Sequence, residues 1–175
     1  DPDLGTGIAR LRDEFVYSPA PVDLANVLHL RRRQAAELVP RGAVNAKYSK
    51  GGLVDLEYFV QMQQIAAGHV DPSVRATNTM DAVDSLHRGG HIPPDQARDV
   101  NESYEFIRRF IDALRVVRGN ARDLNIPSPD SREFLHLAQR LRFRSPRQLE
   151  DAIRVHMGFA GSLFNGGRST AVQAT

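Results

Sequence analysis

The segment from Leu53 to Ala67 is apolar on nearly every side when its residues are placed on a helical wheel. Glu57, Gln61 and Gln64 form its one polar stripe. A helix that is hydrophobic almost all round belongs in the interior of a fold, because a solvent-facing side would carry polar residues. The sequence therefore predicts a central, buried helix that begins after Gly51-Gly52 and ends at Gly68 in a left-handed cap.

The rest of the chain shows the same helical periodicity, and no alternating run predicts a strand. We expect further helices near residues 6–15, 24–39, 78–87, 95–118, 131–141 and 146–163. The predicted fold is an all-α bundle of six or seven helices. Residues 1–22 are expected to form an N-terminal helix and a Pro-rich connector, 23–164 the bundle domain, and 165–175 a flexible tail.

Composition excludes several classes of protein. The 175 residues include 23 basic and 21 acidic side chains, a net charge of +2, and no cysteine. Without cysteine, neither a disulfide framework nor a thiolate zinc site can form. No apolar run approaches the length of a membrane span, and basic residues are interspersed with acids, which disfavours nucleic-acid binding. We expect a cytoplasmic domain with no membrane contact.

The residues before the central helix are an unusual combination. Lys47 and Lys50 are the only lysines in the chain, and Gly51 and Gly52 follow them directly. Glycines allow close approach of a ligand, and a helix N-terminus favours anions, so the segment is a candidate phosphate or carboxylate site. The alternative is a glycine turn that leads into a buried helix, with both lysines in solvent.

Two carboxylates lie in the first turns of that helix. Asp55 and Glu57 are separated by about 160° on the wheel, so they cannot share a metal ion. Asp55 falls among apolar neighbours and must be paired if it is buried. We expect it to pair with an arginine of the long helix, or alternatively to face a neighbouring catalytic domain.

Other candidates are weaker. Arg108, Arg109 and Arg115 on the long helix form either a solvated face or a surface for an acidic partner. Gly158 and Gly161 are expected to mark close helix packing. The histidines lack metal-binding spacing and no serine has a nucleophile context, so we predict no catalytic group and no metal ligand in this chain.

The run Asn45–Gln61 closely resembles the glycine-glycine, Asp-x-Glu-Phe, x-Val-Gln signature of glutamine synthetase adenylyltransferases. The resemblance continues upstream in residues 30–38 and downstream in Val74–Thr79 and Tyr104–Arg109. It covers roughly residues 23–143, and the block from Lys47 to Gln61 is its most specific part.

This resemblance implies a helical domain packed behind a nucleotidyltransferase domain. The parent enzyme would use ATP and magnesium to transfer AMP to a protein tyrosine, and glutamine synthetase and a PII-type signalling protein would be its partners. A Gly-Ser turn followed by the metal-binding Asp-x-Asp pair is absent here. The resemblance thus implies an accessory domain in which residues of the 47–57 segment contact the catalytic domain or nucleotide phosphates. The alternative is an interaction module that binds a PII-type or other signalling partner.

Overall fold

The computed structural model describes residues 2–19 and 23–166, and these form seven α-helices with no β-strand. The helices are α1 (Pro2–Val16), α2 (Leu24–Leu38), α3 (Leu53–Gly68), α4 (Thr79–Arg88), α5 (Pro94–Arg118), α6 (Arg132–Arg140) and α7 (Pro146–Gly166). A 3-10 turn, Pro72–Val74, lies between α3 and α4. The prediction of an all-α fold is confirmed. Among the described helices, none is both long and apolar enough to cross a bilayer.

The helix boundaries follow from local capping chemistry. The side chains of Asp23, Asn78 and Ser131 each accept a hydrogen bond from a backbone N–H in the first turn of α2, α4 and α6. Such caps satisfy donors that have no partner inside the helix. Pro94 occupies the first turn of α5, and Gly119, with φ of 65°, ends it in the left-handed conformation. These starts and stops are those that the sequence predicts.

The core is built around α3 and α5 together. The long helix α5 packs against α3, α4, α6 and α7, whereas α3 packs against α4, α5 and α7. The largest fully buried side chains include Leu56 of α3 and Ile107 and Phe110 of α5. The prediction of a central α3 is therefore incomplete, since α5 shares that position and Tyr58, Met62 and Ile65 of α3 are only half-buried.

Two predictions within α3 are wrong in detail. Gln64 is buried rather than part of a solvent-facing stripe, and its Nε2 donates to the carbonyl oxygens of Val74 and Ala76 at 2.6 and 2.8 Å. Gly68 lies inside the helix and does not have a positive φ. A Cβ at Gly68 would lie 2.4 Å from the Tyr17 ring, so this glycine serves close packing.

The N-terminal helix is attached to the bundle at that contact. Tyr17, just after α1, is buried, and the Arg75 guanidinium lies 4.9 Å from its ring centroid. Arg75 also pairs with Asp13 of α1 at 3.3 Å, and Tyr17 O is 3.2 Å from Nδ1 of His69. Residues 20–22 of the predicted connector and 167–175 of the predicted tail lie outside the described residues.

Candidate functional site

The loop before α3 is folded by its own polar side chains. Asn45 Oδ1 accepts from the backbone N–H groups of Lys47 and Tyr48 at 3.0 Å each, which forms an Asx turn. Ser49 Oγ accepts from the Asn45 N–H at 2.7 Å. A single antiparallel bridge joins Asn45 to Asn125 in the loop after α5. The segment that carries the two lysines is therefore held in one conformation.

The two glycines are explained by close backbone packing, Gly51 against α7 and Gly52 against the preceding loop. Gly51 is buried with φ of 79°, and a Cβ there would lie 2.0 Å from the carbonyl oxygen of Met157. A Cβ on Gly52 would lie 2.6 Å from the carbonyl oxygen of Lys47. Across the contact, Gly161 fits against Gly51, whereas Gly158 faces open space. The predicted close packing thus involves Gly161 and not Gly158.

The backbone at this helix start has no spare donor for an anion. Gly51 N–H donates to Oδ2 of Asp55 at 2.6 Å. The next three N–H groups, those of residues 52–54, donate to carbonyl oxygens of the 46–49 loop at 2.8 to 3.1 Å. A phosphate cradle needs such groups unpaired. The interpretation of Gly51 and Gly52 as a backbone phosphate site is therefore not supported by the geometry.

Asp55 forms a buried ion pair with Arg31 of α2. Arg31 Nε donates to Asp55 Oδ1 at 2.6 Å, and the two residues are 5 % and 4 % exposed. Nη2 of Arg31 donates to the carbonyl oxygens of Tyr48 and Ser49 at 3.0 and 3.1 Å. The predicted pairing with an arginine is confirmed, but the arginine belongs to α2 and not to the long helix. Asp55 therefore has a structural role and does not face outward.

Glu57, Lys47 and Arg108 form the charged part of the site, which we call the basic surface. The carboxyl of Glu57 is half-buried, and burial raises its pKa above the usual range while Lys47 and Arg108 act in the opposite direction. Each cation also lies near an aromatic ring, Lys47 Nζ at 5.1 Å from Tyr48 and the Arg108 guanidinium at 5.9 Å from Tyr104. Two positive charges thus act on one partly desolvated carboxylate.

The remaining predicted site residues are distributed around this surface. Lys50 is exposed at the tip of the loop, where its side chain lies near Gly161 of α7. Arg109 is exposed but turned by about 100° from Arg108 along the helix. Arg115 is half-buried and donates to Asp112 of its own helix at 3.1 Å. The structure therefore brings Arg108 to the 47–57 segment and leaves the other two arginines outside it.

Arg31 is an important residue of the site that the sequence pattern does not identify. The run Arg31-Arg32-Arg33 is a basic cluster in the sequence, and its neighbouring residues do not indicate that the first arginine is the buried one. In the described part of the chain, no group of three or more His, Asp or Glu side chains is placed to hold a metal ion. An open depression of about 640 Å³ lies between the starts of α6 and α7. Another, of about 410 Å³, lies between these two helices and the loops at residues 42–44 and 126–129. Neither depression is lined by the 47–57 segment or by Arg108.

These features define a class: an all-α domain with a basic, partly buried charged surface at the start of a central helix. The sequence model of the GlnD PII-uridylyltransferase family matches residues 26–165, which include nearly all of α2 and every later helix. The chain belongs to this family.

Three similar proteins share the name bifunctional glutamine synthetase adenylyltransferase/adenylyl-removing enzyme. The protein of Mycobacterium leprae is 32 % identical over 135 residues, 74 % of this chain and 13 % of its own. That of Streptomyces avermitilis is 34 % identical over 140 residues, 77 % of this chain and 14 % of its own. That of Mycobacterium bovis is 30 % identical over 160 residues, 85 % of this chain and 16 % of its own. The chain thus spans about one seventh of these relatives.

Proposed function

We propose that this chain is the helical accessory domain of a larger adenylyltransferase. The parent transfers AMP from ATP, with Mg²⁺ held by acids in another domain, to a tyrosine hydroxyl of a target protein in the cytoplasm. Glutamine synthetase is the proposed target, because the relatives are named for acting on it. The observation that carries the proposal is the similarity to these enzymes over three quarters of the chain, together with a match of the family model to nearly the whole bundle.

The basic surface is the proposed contact with the nucleotidyltransferase domain. Lys47 and Arg108 both act on Glu57, and Lys50 lies exposed on the same loop as Lys47, so the local charge is positive. Because the backbone donors at the start of α3 are already paired, the side chains and not the glycines would meet an acidic surface or a nucleotide phosphate. Gly51, Gly52 and Asp55 support this surface by fixing the loop on α7 and α2.

The experiment compares AMP incorporation by the complete gene product with that by the 175-residue chain, using labelled ATP and glutamine synthetase. We expect transfer by the complete product alone. Transfer by the 175-residue chain would show that the metal-binding acids are not in another domain. Absence of transfer to glutamine synthetase, with transfer to another protein, would retain the class of enzyme and change its target.

The basic surface is tested in the complete product with Lys47→Gln combined with Lys50→Gln. We expect ATP affinity or AMP transfer to fall about tenfold, since a hydrogen bond to a charged group contributes about 1.5–3 kcal/mol. The matched control is Arg140→Gln with Arg144→Gln, which removes two exposed charges at the end of α6. Equal effects of the two double variants would exclude a specific role for the lysines.

A second candidate function is a module that binds a PII-type signalling protein. It is favoured by the exposed Arg109, which the basic surface leaves unused and which is available to an acidic partner. Retention of a PII-type protein by the immobilised domain without nucleotide, lost on Arg109→Glu, would support this candidate.

A further inference from the structure

The N-terminal helix α1 presents an apolar stripe to solvent. Ile8, Leu11 and Phe15 are 59, 61 and 85 % exposed, and their 3-4 spacing places them on one side of the helix. Leu4 extends the same spacing by a further turn. A contiguous apolar patch of a few hundred Å² on a folded domain usually marks an interaction site.

The orientation of α1 is set by contacts on its other side. Asp13 lies about 160° around the helix from Phe15 and pairs with Arg75, which also lies against the Tyr17 ring. Tyr17 packs on Gly68 of α3, where any larger residue would overlap it. The bundle therefore holds α1 by a polar residue and by its C-terminal end. This inverts the usual arrangement, in which an amphipathic helix turns its apolar face toward the core.

The spacing of the stripe indicates the kind of surface that fits it. Apolar residues that alternate at intervals of three and four form the seam of a pair of packed helices. The matching surface is consequently another amphipathic helix. The 15 residues of α1 span roughly 22 Å, about two heptads.

The small size of the stripe favours a partner in the same polypeptide. A stable interface between separate proteins buries about 800 Å² on each side, more than this stripe offers. A tethered domain meets its neighbour at an effective concentration of about millimolar, so a smaller surface suffices. The relatives are much longer than this chain, which aligns with only 13 to 16 % of them, and α1 precedes the matched family region.

We propose that Ile8, Leu11 and Phe15 form a docking seam for a helix of the adjoining domain of the same polypeptide. The inference rests on the proposed function for the presence of that domain. The seam lies on α1, outside the 47–57 segment, and so constitutes a second contact in addition to the basic surface.

The test uses single cysteines in the complete gene product, with any other cysteine replaced by serine. Leu11→Cys and Phe15→Cys report on the seam, and Arg10→Cys, on an exposed side of the same helix, is the matched control. The rate of maleimide modification is measured for each site in the native protein and again in denaturant. We expect at least tenfold protection at positions 11 and 15 relative to position 10, independent of protein concentration.

Two outcomes would overturn the docking seam. Equal reactivity of all three sites would show that the stripe faces solvent, and protection that disappears on dilution would identify a second copy as the occupant. AMP transfer is measured on the same samples. An active enzyme with a reactive seam rejects the docking inference alone, whereas a protected seam without any transfer rejects the proposed function alone.

Discussion

Arg31 on α2 and Asp55 on α3 form a buried ion pair, with Nε and Oδ1 2.6 Å apart, that links segments 24 residues apart in the chain. The same carboxylate accepts from the Gly51 N–H through Oδ2, and the same guanidinium donates to two loop carbonyls. One pair thus fixes α2, the lysine loop and the start of α3 relative to each other. The order of the basic surface depends on this arrangement.

Removing one partner of this pair should destabilise the domain strongly. Arg31→Met leaves the Asp55 carboxylate buried without its cation, and the loss of a single partner typically costs about 3–5 kcal/mol. Urea denaturation followed by circular dichroism measures the change. Arg33→Met is the control, because Arg33 makes an equally short pair with Glu37 on an exposed helix face and should leave the unfolding midpoint unchanged. Similar losses for both variants would contradict the special role of burial.

A methyl group at Gly51 should be far more damaging than one at Gly42. Both glycines have nearly the same positive φ, 79° and 77°, so the cost of the left-handed backbone is shared. At Gly42 a Cβ meets nothing within 4 Å, whereas at Gly51 it would lie 2.0 Å from the Met157 carbonyl oxygen. We expect Gly42→Ala to cost about 1–2 kcal/mol. Gly51→Ala should exceed this by at least about 2 kcal/mol or prevent folding, because α7 must move.

The Gly51 comparison is read from thermal or urea unfolding of the two variants. If Gly51→Ala costs no more than Gly42→Ala, the glycine is not required for close packing. That result would instead support the interpretation from the sequence, in which the glycine allows a ligand to approach the backbone closely. If Gly51→Ala does not fold, its soluble yield is compared with that of Gly42→Ala, and a loss at Gly51 alone supports the close-packing role.

The Gly68–Tyr17 contact predicts selective release of α1. A Cβ at Gly68 would lie 2.4 Å from the ring, so Gly68→Ala should displace Tyr17 while the α-helical backbone of α3 tolerates alanine well. Amide hydrogen exchange should then accelerate in α1 and remain slow in α5. Tyr17→Ala, which removes the ring and leaves Gly68, should give the same exchange pattern. Acceleration throughout the bundle would instead indicate that the contact supports the whole core.

Much of the fold can be predicted from the sequence, because helix starts and stops depend on local chemistry. The residues that begin or end these helices act within one turn of their own positions, so the local sequence is enough to predict the helix boundaries. They are Asp23, Asn78, Ser131, Pro94 and Gly119. Gly68 shows the limit of this reasoning. A glycine that ends an apolar segment is typical of a left-handed cap, but here the requirement comes from Tyr17, 51 positions away.

The candidate site was harder to predict because its properties arise from long-range contacts. The wheel places Asp55 among apolar neighbours, which predicts a charged partner. The prediction of an arginine from the long helix is wrong, because a helical wheel contains no information on which helices pack together. Gly51-Gly52 has the same sequence pattern whether the glycines admit a phosphate or the backbone of α7. Only the position of Met157, about a hundred residues later, distinguishes these possibilities. Lys47, Glu57 and Arg108 were all identified, but their common location required the packing of α3 and α5.

A pH-dependent loss of stability should originate at the contact between α5 and α7. His156 of α7 stacks on Phe106 with ring centroids 4.4 Å apart, and its Nδ1 lies 3.0 Å from Ser103 Oγ. Burial lowers the pKa of His156 below its ordinary value of 6.5, although Glu102 acts in the opposite direction. The folded state thus favours the neutral ring, and the unfolded chain takes up a proton at higher pH.

The sign of the effect follows from that difference in proton binding. As the pH falls through 6.5 toward the lower folded-state pKa, the unfolded state binds more protons and the free energy of unfolding decreases. Above this window the contribution is fully present. We expect His156→Gln to remove this part of the pH dependence, and His136→Gln, at an exposed position on α6, to retain it. Urea titrations at several pH values from 5 to 8 measure the slopes. An unchanged slope in His156→Gln would assign the pH dependence to other groups.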